Sequence, residues 1–149
     1  MADIVNISKD EEELNKLSVE MRLLEQTAET LQQRIGMINA AIRDLTYADM
    51  TLESIEKEEK NADLLVPIGG SSYVKAKLAD KEKIVVGMGA GVSVEKPLPE
   101  AKQIFKERLD ELEKTMNSAQ QQFAQIAQRI NTGRNQLQSL LARVRQGKA

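Results

Sequence analysis

Residues 64–95 read LLVPIGGSSYVKAKLADKEKIVVGMGAGVSVE, and they separate two long segments made of helix-forming residues. The stretch holds four short runs of strand-forming residues, which begin near Leu64, Ser72, Ile84 and Val92. Glycines stand between the runs at the two places where a tight turn needs positive φ. The pattern therefore predicts four strands in two β-hairpins, between residues 62 and 97.

The predicted hairpins are too small to form a core of their own. In the second run Val74, Ala76 and Leu78 alternate with lysines, which predicts one buried and one solvated face. Pro67 lacks the N–H that a sheet ladder requires, so it is expected at an edge or a strand end. Because isolated hairpins are marginally stable and free strand edges attract other chains, we predict oligomerisation through this region. The predicted oligomerisation residues are Leu65, Val66, Pro67, Ile68, Val74, Ile84, Val85, Val86, Val92 and Val94.

The segment before the hairpins, residues 8–61, has apolar residues at alternating steps of three and four. This spacing predicts a helix with one narrow apolar stripe, which supercoils left-handedly with a partner. The stripe residues are Leu14, Leu17, Met21, Leu24, Ala28, Leu31, Ile35, Ile38, Ile42 and Leu45. After Leu45 the phase shifts to Ala48, Leu52 and Ile55, as in a stammer. Residues 8–11 fit a capping box, so we expect the helix to begin at Ser8.

The segment after the hairpins, residues 98–146, repeats the same alternation. Pro99 suits a first helical turn, where a missing N–H costs nothing. The stripe residues are Phe105, Leu109, Leu112, Met116, Ala119, Phe123, Ile126, Ile130, Gly133, Leu137, Leu140 and Val144. Gly133 supplies no side chain to this stripe and is expected to weaken the last turns.

Two stripes of similar length predict an antiparallel coiled coil within one chain, with both termini at one end. Acidic residues 10–13 would then lie near Arg134, Arg143, Arg145 and Lys148. Two registers remain open. One faces Ala28 with Ala119, and the other faces Ala28 with Ile126 and Ile35 with Ala119. The second is favoured because layers that pair a large with a small side chain fill space better.

The composition argues against several classes of function. The formal net charge of −2 does not suit a general nucleic-acid binder, which needs surplus Lys and Arg. The chain has no His and no Cys, so the usual nucleophile–base pairs and zinc sites cannot be assembled. We predict no catalytic residue, no metal and no cofactor, and a protein that is not an enzyme.

Three local patterns are interpreted as structure rather than chemistry. The glycines of residues 87–91 are followed by a strand and not by a helix, so they favour a hairpin over a dinucleotide loop. Glu53, Glu56, Glu58 and Glu59 alternate with lysines and are predicted to form a solvated face. The glutamines at 120–122, 125 and 128 are predicted to lie on the wet side of their helix.

The chain is expected to work in the cytoplasm. Residues 1–13 are polar and acidic, unlike a signal peptide. No stretch approaches the roughly 20 apolar residues of a membrane span. The lack of cysteine fits a reducing compartment.

Residues 65–72 (LVPIGGSS) and 85–92 (VVGMGAGV), set between two long heptad helices, resemble the alpha subunits of archaeal prefoldins. The resemblance covers nearly the whole chain, and two hairpins rather than one favour the alpha over the beta class. It implies a mainly α, α+β fold in which residues 1–149 form a single domain. That domain comprises a coiled-coil helix (8–61), two hairpins (62–97) and a second coiled-coil helix (98–146). It also implies a hexamer of two alpha and four beta subunits, with the hairpins assembled into a β-barrel platform.

The resemblance further implies an ATP-independent holdase that captures non-native polypeptides and delivers them to a group II chaperonin. Capture would take place at the coiled-coil tips. The candidate client-binding residues are Ile4, Val5, Ile7, Leu14, Leu17, Leu137, Leu140, Leu141 and Val144. The alternative is a structural coiled-coil scaffold without chaperone activity. No contact with nucleic acid or membrane is expected.

Overall fold

The computed structural model describes the backbone of residues 2–147 and the side chains of residues 8–147. The predicted tip residues Ile4, Val5 and Ile7 therefore lie outside the described side chains, and Lys148 lies outside the described residues. The described elements follow the chain in the order α1 (Ala2–Lys57), β1 (Asp63–Gly69), β2 (Ser72–Lys77), β3 (Lys83–Gly89), β4 (Val92–Pro97) and α2 (Leu98–Gly147). The prediction of two long helices with two hairpins between them is confirmed.

Helix α1 does not begin where the sequence predicted. It runs from Ala2, so Ser8 is an interior residue and the predicted capping box is wrong. Residues 2–8 contain no Gly or Pro, and nothing there interrupts the i→i−4 hydrogen bonds once the helix has formed. At its other end α1 stops at Lys57, four positions before Asn61, which adopts a φ of 65°.

The two hairpins repeat one another at an offset of 20 positions. Val66 pairs with Val74 in the first hairpin, and Val86 pairs with Val94 in the second. Each hairpin has a register shift just before its turn, between Pro67 and Gly69 or between Gly87 and Gly89. Positive φ occurs at 69–71 and at 89–91, so Ser71 and Ala90 also adopt the left-handed conformation that the sequence assigned to glycine. Residues 87–91 are confirmed as a hairpin rather than a strand-to-helix loop.

The described residues divide into two compact units. The terminal unit contains residues 2–39 and 114–147 of the described range, and the central unit contains Ala40–Glu113. In the terminal unit α1 and α2 run antiparallel, with their apolar stripes against each other. The buried stripe residues there are Met21, Leu31, Ile38, Met116, Ala119, Ile130, Leu140 and Val144.

Gly133 identifies the register of the terminal unit. It is buried, and the Met21 sulfur occupies the place next to it where a side chain would otherwise stand. Seven residues after Met21 on α1 and seven residues before Gly133 on α2, this alignment brings Ala28 opposite Ile126. Another seven residues along each helix bring Ile35 opposite Ala119. The register that pairs large with small residues therefore agrees with the structure.

Two long ion pairs bridge the helices of the terminal unit. Arg143 Nη1 lies 3.9 Å from Asp10 Oδ1, as the predicted charge pairing required. Arg134 lies 3.8 Å from Glu25 rather than near residues 10–13, so that part of the prediction is wrong. The reason is the register, since Arg134 follows Gly133 and therefore lies beside the turn after Met21. Both pairs have exposed arginines and contribute little to stability.

A small apolar cluster forms the core of the central unit. Leu52 of α1, Val86 of β3 and Ala101 of α2 are buried together, with Ile84, Ile104 and Phe105 packed around them. Leu52 belongs to the stripe phase that follows the predicted stammer, so the phase shift turns α1 toward the second hairpin. The core of this unit therefore joins both helices to the second hairpin.

Candidate functional surfaces

Both hairpins expose large apolar side chains. On the first hairpin, Leu65 and Ile68 are 64% and 62% exposed, and on the second Val85 is 66% exposed. We call this set the hairpin surface. Its members are Leu65, Val66, Ile68, Tyr73, Val74, Val85, Met88, Val92 and Val94. An apolar set of this density is typical of a protein–protein contact.

The hairpin surface contains most of the predicted oligomerisation residues. Leu65, Val66, Ile68, Val74, Val85, Val92 and Val94 belong to it, and Pro67 is also exposed. Ile84 is half-buried and Val86 is fully buried within the chain itself, so the Val86 side chain is not available to a partner. The predicted buried face of β2 is also incomplete, because Val74 is 49% exposed. Sequence reasoning missed Tyr73 and Met88, although both stand in strands of the predicted hairpins.

The two hairpins differ in how they contact the helices. Val66 and Val86 hold equivalent positions in the repeat, yet Val66 is 44% exposed and Val86 only 1%. The helices cover Val86 through Leu52 and Ala101. The first hairpin therefore presents a face whose counterpart in the second hairpin is already packed.

Arg108 of α2 holds the turn end of the second hairpin. Its Nη2 donates a hydrogen bond of 2.8 Å to the Gly87 carbonyl and lies 3.8 Å from the Met88 sulfur. The position equivalent to Gly87 in the first hairpin is Pro67. Arg108 thus adds a polar contact to the apolar docking of Val86.

Replacing Arg108 with methionine is expected to loosen the second hairpin. The change keeps an unbranched side chain but removes the donor, and a hydrogen bond from a charged group contributes about 1.5 kcal/mol or more. Amide hydrogen exchange in residues 87–92 should accelerate by about tenfold, since that energy enters the opening equilibrium. Lys106→Met, at an exposed position of the same helix, should leave those amides unchanged. Equal exchange in both variants would show that Arg108 does not hold the hairpin.

An ion pair ties the two helices in the central unit. Lys102 Nζ donates a hydrogen bond to a Glu56 carboxylate oxygen. Glu56 was predicted to lie on a solvated face, and it also makes this contact between the helices. The hydrogen bond from Lys102, with its charge, lowers the pKa of Glu56 below its usual value. The same hydrogen bond raises the pKa of Lys102. Lys81 Nζ also donates to the Glu58 carbonyl, near the end of α1. Among the described residues, no group of acidic side chains is arranged to hold a metal ion.

The predicted tip residues close the coiled coil. Leu140 and Val144 are buried, and Leu14, Leu17, Leu137 and Leu141 are half-buried. All six lie in the terminal unit, which brings the two predicted groups together. The apolar surface of these residues becomes available only when the helix ends separate.

Two open clefts lie beside the paired stripes of the terminal unit. One has a volume of about 530 Å³ and is bounded by Leu17 and Leu24 of α1. The other, of about 510 Å³, is bounded by Glu13 of α1 and Leu140 of α2. Thr132 and Gln136 line both. No helix in the described range is apolar enough over a sufficient length to cross a membrane.

Two long helices joined by two β-hairpins with an exposed apolar surface define the architecture of a coiled-coil assembly subunit. The profile of the family described as "Prefoldin subunit" matches residues 24–143. The chain belongs to the prefoldin family. Prefoldins are chaperones rather than enzymes, and this membership supports a chaperone-type role.

Individual relatives extend the match over most of the chain. The prefoldin subunit alpha of Methanococcoides burtonii is 36% identical over 80% of this chain and 87% of its own length. That of Pyrococcus horikoshii is 32% identical over 83% of this chain and 84% of its own. A cryo-EM structure of filamentous PFD from Methanocaldococcus jannaschii superposes with a TM-score of 0.66 and 26% identity, over 75% of this chain and 93% of that one. These matches confirm the resemblance to archaeal prefoldin alpha subunits.

Proposed function

We propose that the chain is an alpha-type subunit of an ATP-independent holdase, which captures non-native polypeptides and delivers them to a group II chaperonin. The observation that carries this proposal is the prefoldin match over residues 24–143. The hairpin surface supplies the contacts for assembly, and the helix ends of the terminal unit supply the contacts for clients. The proposed setting is the cytoplasm.

Client capture depends on local opening of the coiled-coil ends. Helix ends fray, and separation of the last turns exposes Leu140 and Val144 together with their partners on α1. Burying about 100 Å² of apolar surface on a client contributes roughly 2.5 kcal/mol. One pair of helices therefore binds weakly, whereas several pairs on one client bind tightly through effective concentration. Weak individual contacts also allow release without nucleotide hydrolysis.

The partners proposed for assembly are beta-type prefoldin subunits, in a complex of two alpha and four beta subunits. The exposed hairpin surface supports contact with other subunits, because these side chains are as apolar as a core and have no cover within the described chain. The structure from Methanocaldococcus jannaschii is described as filamentous PFD. The alternative for this chain is a structural coiled-coil scaffold that forms an open series of oligomers. Native mass spectrometry with and without a beta-type subunit distinguishes a defined hexamer from an open series of homo-oligomers.

Removing both sets of helix ends tests client capture. The variant lacks residues 1–17 and 137–149, while the hairpins and most of both stripes remain. Suppression of the aggregation of an unrelated unfolded protein, measured by light scattering without nucleotide, should be lost. The oligomer measured by native mass should persist, because the hairpin surface is intact. Full suppression by the shortened chain, or no suppression by the full-length assembly, would contradict the proposed function and favour the scaffold.

A further inference from the structure

Met88 lies at the turn end of the second hairpin, in the bulge that interrupts the strand ladder. The register passes from the pair Gly87 and Ser93 to the pair Gly89 and Val92, so Met88 has no residue directly opposite it. A bulge bends its strand and redirects the side chain of the unpaired residue. Met88 is 49% exposed and belongs to the hairpin surface, so small molecules in solution can reach it.

The Met88 sulfur lies beside a cation. Arg108 Nη2 is 3.8 Å from Met88 Sδ while it donates a hydrogen bond of 2.8 Å to the Gly87 carbonyl. Arg108 is half-buried, and its bond to Gly87 keeps the guanidinium in place. A thioether sulfur is a weak acceptor, so the guanidinium gains little from it. Because Nη2 carries two N–H groups, it can donate to Gly87 and to a second, stronger acceptor at the same time.

The first hairpin has a hydrocarbon side chain where the second has sulfur. The position equivalent to Met88 is Ile68, which also occupies a bulge, between Pro67 and Gly69, and is 62% exposed. Each hairpin therefore presents a large apolar side chain at the same place on the hairpin surface. Since isoleucine suits this place in the repeat, packing does not require the sulfur of Met88.

We propose that Met88 is a modification site for hydroperoxides, that Arg108 binds the resulting sulfoxide, and that the modification weakens assembly through the hairpin surface. In the reaction, the sulfur lone pair attacks the terminal peroxide oxygen, and the S–O bond forms as the O–O bond breaks. The departing oxygen takes the proton from the transferred oxygen and leaves as water or an alcohol. Sulfur loses two electrons and the peroxide gains them.

The added oxygen changes the contact between Met88 and Arg108. A sulfoxide is polar and its oxygen is a good acceptor, whereas a thioether accepts weakly. An oxygen added on the side of Sδ that faces Arg108 lies between Sδ and Nη2, within reach of a hydrogen bond. Hydrogen bonds from charged donors are roughly twice as strong as neutral ones. The sulfoxide should therefore fasten the turn end of the hairpin to α2.

The same oxygen changes the hairpin surface. Oxidation converts a flexible apolar side chain into a polar one. A polar group that a partner subunit covers loses its water, which costs free energy where no new hydrogen bond compensates. The contact with Arg108 also draws the Met88 side chain toward α2. This part of the inference rests on the proposed function, in which the hairpin surface supplies the contacts for assembly.

Exposure separates Met88 from the methionines between the paired helices. Met21 and Met116 are 6% and 8% exposed, which protects them from peroxide. Met37 and Met50 are 74% and 58% exposed and are expected to react as well. The test therefore uses a parent protein with Met37→Leu and Met50→Leu, which exchange apolar residues of similar volume.

The test compares three full-length proteins: the parent, the parent with Met88→Ile and the parent with Arg108→Leu. Isoleucine is the residue of the first hairpin at the equivalent position, and it cannot be oxidised under these conditions. Each protein is treated with hydrogen peroxide, and peptide mass spectrometry measures the sulfoxide at residue 88. One readout is amide exchange over residues 87–92 in the free chain. The other is the concentration of a beta-type subunit that gives half-maximal assembly by native mass spectrometry.

In the parent, oxidation should slow amide exchange over residues 87–92 by about tenfold, because the new bond to Arg108 enters the opening equilibrium. Exchange in Met88→Ile and in Arg108→Leu should stay within twofold of the untreated proteins. Oxidation should raise the half-assembly concentration of the parent by about tenfold and leave that of Met88→Ile unchanged. Methionine sulfoxide reductases with a dithiol should reverse the effect on the parent.

Equal slowing with and without Arg108, or no slowing in the parent, would overturn the role of Arg108. An unchanged half-assembly concentration after oxidation, or an equal rise in Met88→Ile, would overturn the effect of the modification. Met88 that stays reduced at peroxide doses that oxidise Met37 and Met50 in the unsubstituted chain would overturn the site itself. If the untreated parent does not assemble with the beta-type subunit, the proposed assembly fails, while amide exchange still decides whether Arg108 binds the sulfoxide.

Discussion

Replacing Gly133 with leucine is expected to destabilise the terminal unit by about 2 kcal/mol, although leucine would complete the apolar stripe of α2. A side chain at 133 would occupy the space that the Met21 sulfur now fills. Leucine gains roughly 0.8 kcal/mol in helix propensity over glycine, but it forces Met21 out of a buried position and separates the helices. The thermal midpoint, followed by circular dichroism, should fall by roughly 4–8 °C.

Gly36 provides the matched control for this substitution. It also lies in a helix of the terminal unit, and no atom comes within 4 Å of the position that its Cβ would take. Gly36→Leu should therefore raise stability slightly, through helix propensity alone. A similar fall in midpoint for both variants would show that the Gly133 effect does not come from Met21.

A double-mutant cycle tests whether displacement of Met21 causes the loss of stability in Gly133→Leu. Met21→Ala alone leaves a cavity and should cost about 2–3 kcal/mol. In the pair Met21→Ala with Gly133→Leu, the new leucine occupies the vacated space, so the combined loss should be smaller than the sum by at least about 1.5 kcal/mol. Additive losses would mean that residues 21 and 133 do not share this layer, and that the register is different.

The heptad stripes were predictable because side-chain period alone defines them. A spacing of 3.5 residues, kept over many steps, has few structural solutions other than paired helices. The hairpins were equally visible, since glycine turns and strand-forming runs coincide at two places. The first residue of α1 could not be predicted from the sequence. A capping motif such as the one at Ser8 does not end a helix when the residues before it can also adopt the helical conformation.

The candidate surfaces were predictable only in part, because their exposure depends on tertiary contacts. Val66 and Val86 stand in closely similar local sequence, and nothing in the strands tells which one the helices cover. Gly133 was interpreted as a gap in the apolar stripe of α2. The side chain of Met21, more than a hundred positions away in the chain, fills that gap. Gln125 and Gln128 were interpreted as part of a solvated helix face, but they line a cleft whose second wall belongs to α1 and is not apparent from α2 alone.

Aspartate substitutions at Val66 and Val86 are expected to give the second large effect. The two residues hold equivalent positions in the two hairpins, but the substitutions should disrupt different properties of the protein. Val86→Asp places a carboxylate among the hydrophobic side chains of Leu52, Ala101 and their neighbours. An unpaired buried charge costs several kcal/mol, so we expect hairpin 83–97 to detach from the helices. Amide exchange over residues 84–94 and 98–105 should accelerate by at least a hundredfold.

Val66→Asp should leave those same amides unchanged, because Val66 is exposed and lies outside the cluster of the central unit. Its effect should appear in assembly instead, since a carboxylate on the hairpin surface must be desolvated when another subunit covers it. Native mass should then show smaller species at concentrations where the unmodified chain with its partner is fully assembled. If Val66→Asp assembles normally while Val86→Asp dissociates the complex, the covered hairpin carries the subunit contact and the exposed one does not. That result would transfer the assembly role from the first hairpin to the second and require a different explanation for the exposed apolar residues at 65–74.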